Sequence, residues 1–180
     1  ASTVEGEQLV HTITLSDSPL VATTFSFNLT GISAANSDFS HSLTLSKGVT
    51  LNGDIITVPA GVSSFTVIIP TTSDTINESN EPISLSIGGV TTTSTIEDND
   101  SAPTISSITS ESETEGNNLV HTVTLSNESA VATTFSFTLA GNTASGTDFT
   151  GTPTFSNGVT LSGGNITVPA GVTSFTVTVP

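Results

Sequence analysis

Val21-Ala22-Thr23-Thr24-Phe25-Ser26-Phe27 occurs twice in this chain, and its second appearance at residues 131–137 is identical. Phe25, Phe27 and then Leu29 alternate with Ser26 and Asn28. Successive side chains of a strand point to opposite faces, so this period of two marks a strand with one buried face. Working outward, residues 1–70 align with 111–180 at a constant offset of 110 without a gap. Roughly 41 of those 70 positions are identical. Leu9-Val10-His11-Thr12 returns at 119–122, and Ile56-Thr57-Val58-Pro59-Ala60-Gly61-Val62 at 166–172. Such likeness between neighbours is the mark of recent duplication in an array.

Nearly every other segment also reads with period two. His11, Ile13 and Leu15 share a face with Leu9; Phe65, Val67 and Ile69 follow, then Ile83, Leu85 and Ile87, then a Thr-rich run ending at Ile96. Turn signals separate the runs: Lys47-Gly48, Asn52-Gly53, Pro59-Ala60-Gly61 and Gly88-Gly89, with Asn157-Gly158 and Gly163-Gly164 in the second copy. No stretch carries a helical period. The expected fold is all-β: tandem immunoglobulin-like sandwich modules of about 110 residues. The expected strands are 8–15, 22–29, near 55–58, 63–70, 82–87 and 91–97, preceded by a first strand read only in the second copy, at about 104–109. The expected domains are residues 1–100, lacking that first strand, and 101–180, lacking the last third. On this reading the sequence is a window on a longer array with further copies on either side.

Composition narrows the function classes. Sixteen Asp and Glu face a single cation, Lys47, for a formal charge of −15. Binding to nucleic acid or to an anionic membrane rests on Lys and Arg, so neither is an expected partner. Like charges repel in the compact state, so folding should respond to salt or to a specific cation. With no cysteine there is no disulfide, and the acids take on the question of what staples the modules. No apolar run approaches the ~18 residues of a membrane span. Ala1-Ser2-Thr3-Val4 lacks the basic and apolar regions of a signal peptide. Membrane insertion is not expected, and any secretion signal would lie outside this sequence.

The acids are not scattered. Ile96-Glu97-Asp98-Asn99-Asp100-Ser101 sits at the seam between the copies, before Ala102-Pro103, where proline cannot continue a ladder. In a seven-strand sandwich, the first, third and fifth connections share one end with the tail of the last strand. Glu5, Asp38, the trio Asp74, Glu78 and Glu81, and the pair Asp98 and Asp100 occupy those places. The opposite end holds Asp17 and no comparable group. Carboxylates crowded together repel unless a cation intervenes. Hard oxygen donors from several loops suit Ca²⁺, which takes 6–8 oxygens; zinc lacks its Cys or clustered His, and no EF-hand loop is present.

Glu5-Gly6, Ser37-Asp38-Phe39, the Asp74-x-x-x-Glu78-x-x-Glu81 spacing and Asp98-Asn99-Asp100 together resemble a Calx-beta domain. The Thr-rich, basic-poor repetition is similar to the extender repeats of large bacterial adhesins of the RTX type. The resemblance implies a calcium-binding sandwich with ligands at Glu5, Asp38, Asp74, Glu78, Asp98 and Asp100, and at Glu115 and Asp148 in the second copy. Ser73 stands where that family often has a second Asp. The connection from Phe39 to Ile56 is longer than usual in the family and is expected to hold an added hairpin. Asn99 keeps a carbonyl that can ligate.

Other chemistry is poorly represented. His11 and His121 share a face with apolar residues and read as strand-end histidines bonded to backbone. No Gly-x-Ser-x-Gly elbow is present, and no Trp, Tyr or Arg lines a sugar site, so no enzymatic activity is expected. The nine Phe read as core. The expected function is an extracellular, cell-surface spacer: an adhesin extender stiffened by Ca²⁺ at the acidic pole, whose partners are neighbouring repeats. The competing readings are a self-assembling filament or matrix protein, with homotypic or cell-surface contacts, and a Ca²⁺-dependent module binding carbohydrate or protein.

Overall fold

The computed structural model describes residues 1–145, 147–149 and 152–180. Among them there is no helix. The chain forms two compact units, Ala1–Asp74 with Ser79–Asn99, and Asp100–Pro180 with Thr75–Glu78.

The first unit contains nine strands: β1 (Ser2–Val4), β2 (Gln8–Thr14), β3 (Thr23–Gly31), β4 (Thr44–Leu45), β5 (Thr50–Asn52), β6 (Ile55–Val58), β7 (Ser64–Pro70), β8 (Glu81–Ile87) and β9 (Val90–Glu97). One sheet runs β1-β9-β8-β3-β6-β5 and the other β2-β7-β4. Their inner faces share one core, in which Leu9, Phe65, Val67 and Ile69 from the smaller sheet meet Phe27, Leu29, Ile56, Ile83, Leu85 and Ile96 from the larger. This is the β-sandwich that the period-two runs require. The turn joining β8 to β9 is Gly88-Gly89, with φ of 58° and 83°. Two consecutive positive φ values are what a tight hairpin matching strand twist demands, and glycine reaches them without a Cβ clash.

The fold departs from the expected strand list in three places. β1 has no counterpart in that list; it pairs in parallel with β9, Ser2 opposite Thr95. Ile55–Val58 joins β3 in the larger sheet, Phe25 opposite Ile56, and Thr44–Leu45 supplies the edge beside β7. The long connection from Phe39 to Ile56 holds β4 and β5, and β5 forms a hairpin with β6, the strand expected near 55–58, turning at Gly53-Asp54. Alternation shows which face of a strand is buried but not which neighbouring edge it joins.

The second unit contains β10 (Ile105–Ile108), β11 (Leu119–Leu125), β12 (Thr133–Ser136), β13 (Thr154–Phe155), β14 (Thr160–Ser162), β15 (Asn165–Val168) and β16 (Ser174–Val179). Its sheets are β10-β11-β16-β13 and β12-β15-β14, around Val123, Leu125, Ile166, Val168, Phe175, Val177 and Val179. Thr75–Glu78 cluster with this unit through Asn77, whose N–H donates to Glu128 O (3.1 Å) and whose O accepts from Ala130 N–H (2.9 Å). The buried Ser129 hydroxyl donates to Asn77 Oδ1 at 3.0 Å.

Candidate metal centre

In the first unit, backbone hydrogen bonds tie the acid-bearing loops together. Thr71 N–H donates to Glu7 O (2.9 Å), Thr72 N–H to Asp38 O (2.8 Å), and Ser40 N–H to Pro70 O (2.8 Å). Glu5 N–H donates to Glu97 O at 3.0 Å, which places the residue after β1 beside the end of β9. Gly6 has φ of 79°, and a Cβ there would come within 2.9 Å of the Ser73 Cβ. A side chain larger than hydrogen would therefore push the β1–β2 loop away from the β7–β8 loop. The Glu5-Gly6 pair is thus a carboxylate followed by the residue that lets its loop approach.

Two acid pairs arise in this unit. Glu5 and Asp98 bring carboxylate oxygens within 4.8 Å of one another, and so do Asp38 and Glu81. Glu5 is buried, whereas Asp98, Asp38 and Glu81 are half-buried. Asp98 N–H donates to Asn80 Oδ1 (3.2 Å), and Asn99 Nδ2–H donates to Glu5 O (3.5 Å). Asp38 is fixed by a tight turn: its Oδ2 accepts from Ala35 N–H, and its Oδ1 from the Ser37 hydroxyl at 2.9 Å. Asp74 is exposed and joins neither pair.

Glu78 and Asp100 belong to the second unit, both half-buried; Asp100 O accepts from Asn77 Nδ2–H at 3.2 Å. Of the second-copy candidates, Asp148 repeats the Asp38 turn. Its Oδ2 accepts from Ser145 N–H (2.6 Å) and from the Ser145 hydroxyl (3.0 Å). The backbone bond first, then the hydroxyl, hold its pKa below the ordinary carboxylate range. Glu115, the counterpart of the buried Glu5, is exposed. Glu81 belongs to the acidic trio of its loop but is not among the ligands that the resemblance implies. Its signal was already in the Asp74, Glu78, Glu81 spacing; only the start of β8 shows that it faces Asp38.

The donor set fits calcium. Two oxygens on one Ca²⁺, at 2.3–2.6 Å each, can be no more than about 5.2 Å apart, and both pairs fall inside that span. All the candidate side-chain donors are carboxylates, the chemistry a hard cation takes. Among the described residues no histidine belongs to either acid group. His11 is buried with its Nε2 3.0 Å from Ser94 Oγ, a side-chain partner instead of the expected backbone one, and burial lowers its pKa. His121 Nδ1–H donates to Thr109 O at 2.8 Å, as expected of a strand-end histidine.

No protein family matches the chain, and no curated protein does. Among solved structures it is similar to CBD12 from CALX1.2, at 12% identity and a TM-score of 0.42, covering 99% of this chain and 72% of that one. It is also similar to the calcium binding domain CBD12 of CALX1.1, at 14% identity and the same TM-score, covering 99% and 71%. Domains 4–9 of the surface layer protein SbsC match at 13% identity and a TM-score of 0.32, covering 98% of this chain and 25% of that one.

Proposed function

We propose that this chain is a calcium-binding structural module of an extracellular, repeat-built surface protein, an extender stiffened by Ca²⁺ where one copy meets the next. The observation that carries the reading is the convergence of loops distant in sequence onto the pairs Glu5 with Asp98 and Asp38 with Glu81. Asp100, two residues beyond Asp98, and Glu78, three before Glu81, supply further oxygens in the proposal. Asp74, Glu115 and Asp148 are its outer candidates. A cation shared between the end of one module and the start of the next would lock the Asp98-Asn99-Asp100 hinge.

The role is mechanical and non-enzymatic, its partners are neighbouring repeats of the same chain, and its place is the cell surface. The lone Lys47 and sixteen acids support this over nucleic-acid or membrane binding. Ion at ~1,000 times its Kd contributes roughly 4 kcal/mol, comparable to a small domain's whole stability. Folding would then await the calcium found outside the cell.

The test is a thermal melt in millimolar calcium, in magnesium and in chelator. A rise of about 15–30 °C with calcium alone is expected for a domain of this size. Asp98→Ala with Asp100→Ala should remove that rise. An unchanged calcium titration in the double variant sinks the hinge assignment, and no calcium response in the parent chain sinks the reading as a whole.

A further inference from the structure

Every polar group of Asn77 is engaged within the second unit. Its N–H donates to Glu128 O (3.1 Å), and its O accepts from Ala130 N–H (2.9 Å). Its Oδ1 accepts from the Ser129 hydroxyl (3.0 Å), and its Nδ2–H donates to Asp100 O (3.2 Å). Ser129 is 4% exposed, and its Oγ accepts from Val131 N–H (3.2 Å), which leaves the hydroxyl proton for Asn77. Bonds sheltered from water in this way hold more strongly than exposed ones. A second asparagine grips the next carbonyl. Asn127 Nδ2–H donates to Ser101 O at 2.9 Å, and Asn127 Oδ1 accepts from the Ser126 hydroxyl at 2.6 Å. Two amides from separate segments thus hold the consecutive carbonyls of Asp100 and Ser101. The first copy does not share this chemistry: Asn127 and Ser129 stand where it has Asp17 and Pro19. Aspartate has no amide to donate, and proline no hydroxyl.

We infer that Asn77 is a positioning residue for the metal centre, acting through Asp100, and that its clasp forms before any ion arrives. The inference rests on the calcium reading above, in which Asp100 supplies an oxygen. Asn77 grips the Asp100 carbonyl and not its carboxylate, so it fixes the backbone from which that side chain projects. A ligand held in this way loses less freedom when it binds the ion, and such outer partners commonly set metal affinity. Asparagine suits the place because one short side chain offers an acceptor to Ser129 and a donor to Asp100 O at once. Alanine offers neither, and aspartate lacks the donor. The clasp's bonds join neutral amide, hydroxyl and carbonyl groups, so removing the ion leaves them standing.

The experiment measures the calcium Kd of the full chain by titration calorimetry, with and without Asn77→Ala, in the parent and in an Asp100→Asn background. Asn77→Ala should weaken calcium binding about 10–100-fold in the parent, and far less where Asp100 is already neutral. A merely structural role would cost the same factor in both backgrounds. Amide exchange in chelator supplies a readout that needs no ion: amides 77 and 130 should exchange about tenfold faster in Asn77→Ala. Calcium binding in the parent with no loss in Asn77→Ala, or with equal losses in the two backgrounds, overturns this inference alone, as does unchanged exchange. No calcium binding in the parent overturns the reading beneath it as well.

Discussion

β3 and β12 both start at the third residue of the same seven-residue sequence, 21–27 and 131–137, yet they differ in length and burial. β3 has nine residues and buries Phe27; β12 has four and leaves Phe137 half-exposed. Residues 23–26 of β3 pair with β6, and all of β12 pairs with β15, in the same register. The difference is that β3 goes on to pair with β8, whereas among the described residues β12 pairs with β15 alone. Glu5 and Glu115 teach the same lesson: Glu5 bonds to the end of β9 and is buried, while Glu115 is exposed. Strand length and carboxylate burial here are properties of the partner edge.

The comparison can be broken first where the units should behave alike. Phe65 and Phe175 are equivalent and each is 1% exposed. Phe65→Ala and Phe175→Ala should each cost about 3–5 kcal/mol, read by exchange-monitored denaturant unfolding of the unit concerned. A large disparity would mean that the two cores are not equivalent even where both are closed. Calcium should then separate the units. At saturating ion the first unit should gain up to ~4 kcal/mol, Glu5→Ala should abolish the gain, and Glu115→Ala should leave it unaltered. Equal effects of the two substitutions in a calcium melt would sink the pairing of Glu5 with Asp98.

Smaller effects sharpen the contrast. Leu29→Ala should cost about 2–5 kcal/mol, and Leu139→Ala under about 2, because less of its surface leaves water on folding. The mildest effect is acid sensitivity at His11. Burial lowers its folded pKa below the ordinary 6.5, so the unfolded chain binds the proton more readily. The neutral ring's contribution is present above the unfolded pKa and is lost as pH falls from about 6.5 toward the folded value. His11→Gln should flatten the first unit's stability over that window in pH-dependent denaturation.

Much of the architecture was legible because alternation is a local signal. Leu9, Phe65, Val67, Ile69, Ile83 and Leu85 point inward as their spacing requires, and Gly88-Gly89 turns where two positive φ values are needed. The sheet joined by Ile55–Val58 was not legible, because hydrogen bonds to β3 or to β7 would bury the same alternate side chains. The acids were legible as a loop-end set, but not as pairs. Glu81 meets Asp38 only because β8 begins at that residue, and Asp74 on the same loop stays in solvent.

The sequence by itself determined the duplication, the all-β character, the turn positions and the excess of carboxylates over the lone Lys47. Each follows from residue identity and spacing of period two, which no distant contact can alter. Only the tertiary structure decided where β3 and β12 end, that β1 lies parallel to β9, that Glu5 is buried and Glu115 is not, and which carboxylates come within reach of one cation. Those outcomes depend on which backbone edge supplies the partner hydrogen bonds, and edges meet across dozens of residues through packing that local alternation does not encode.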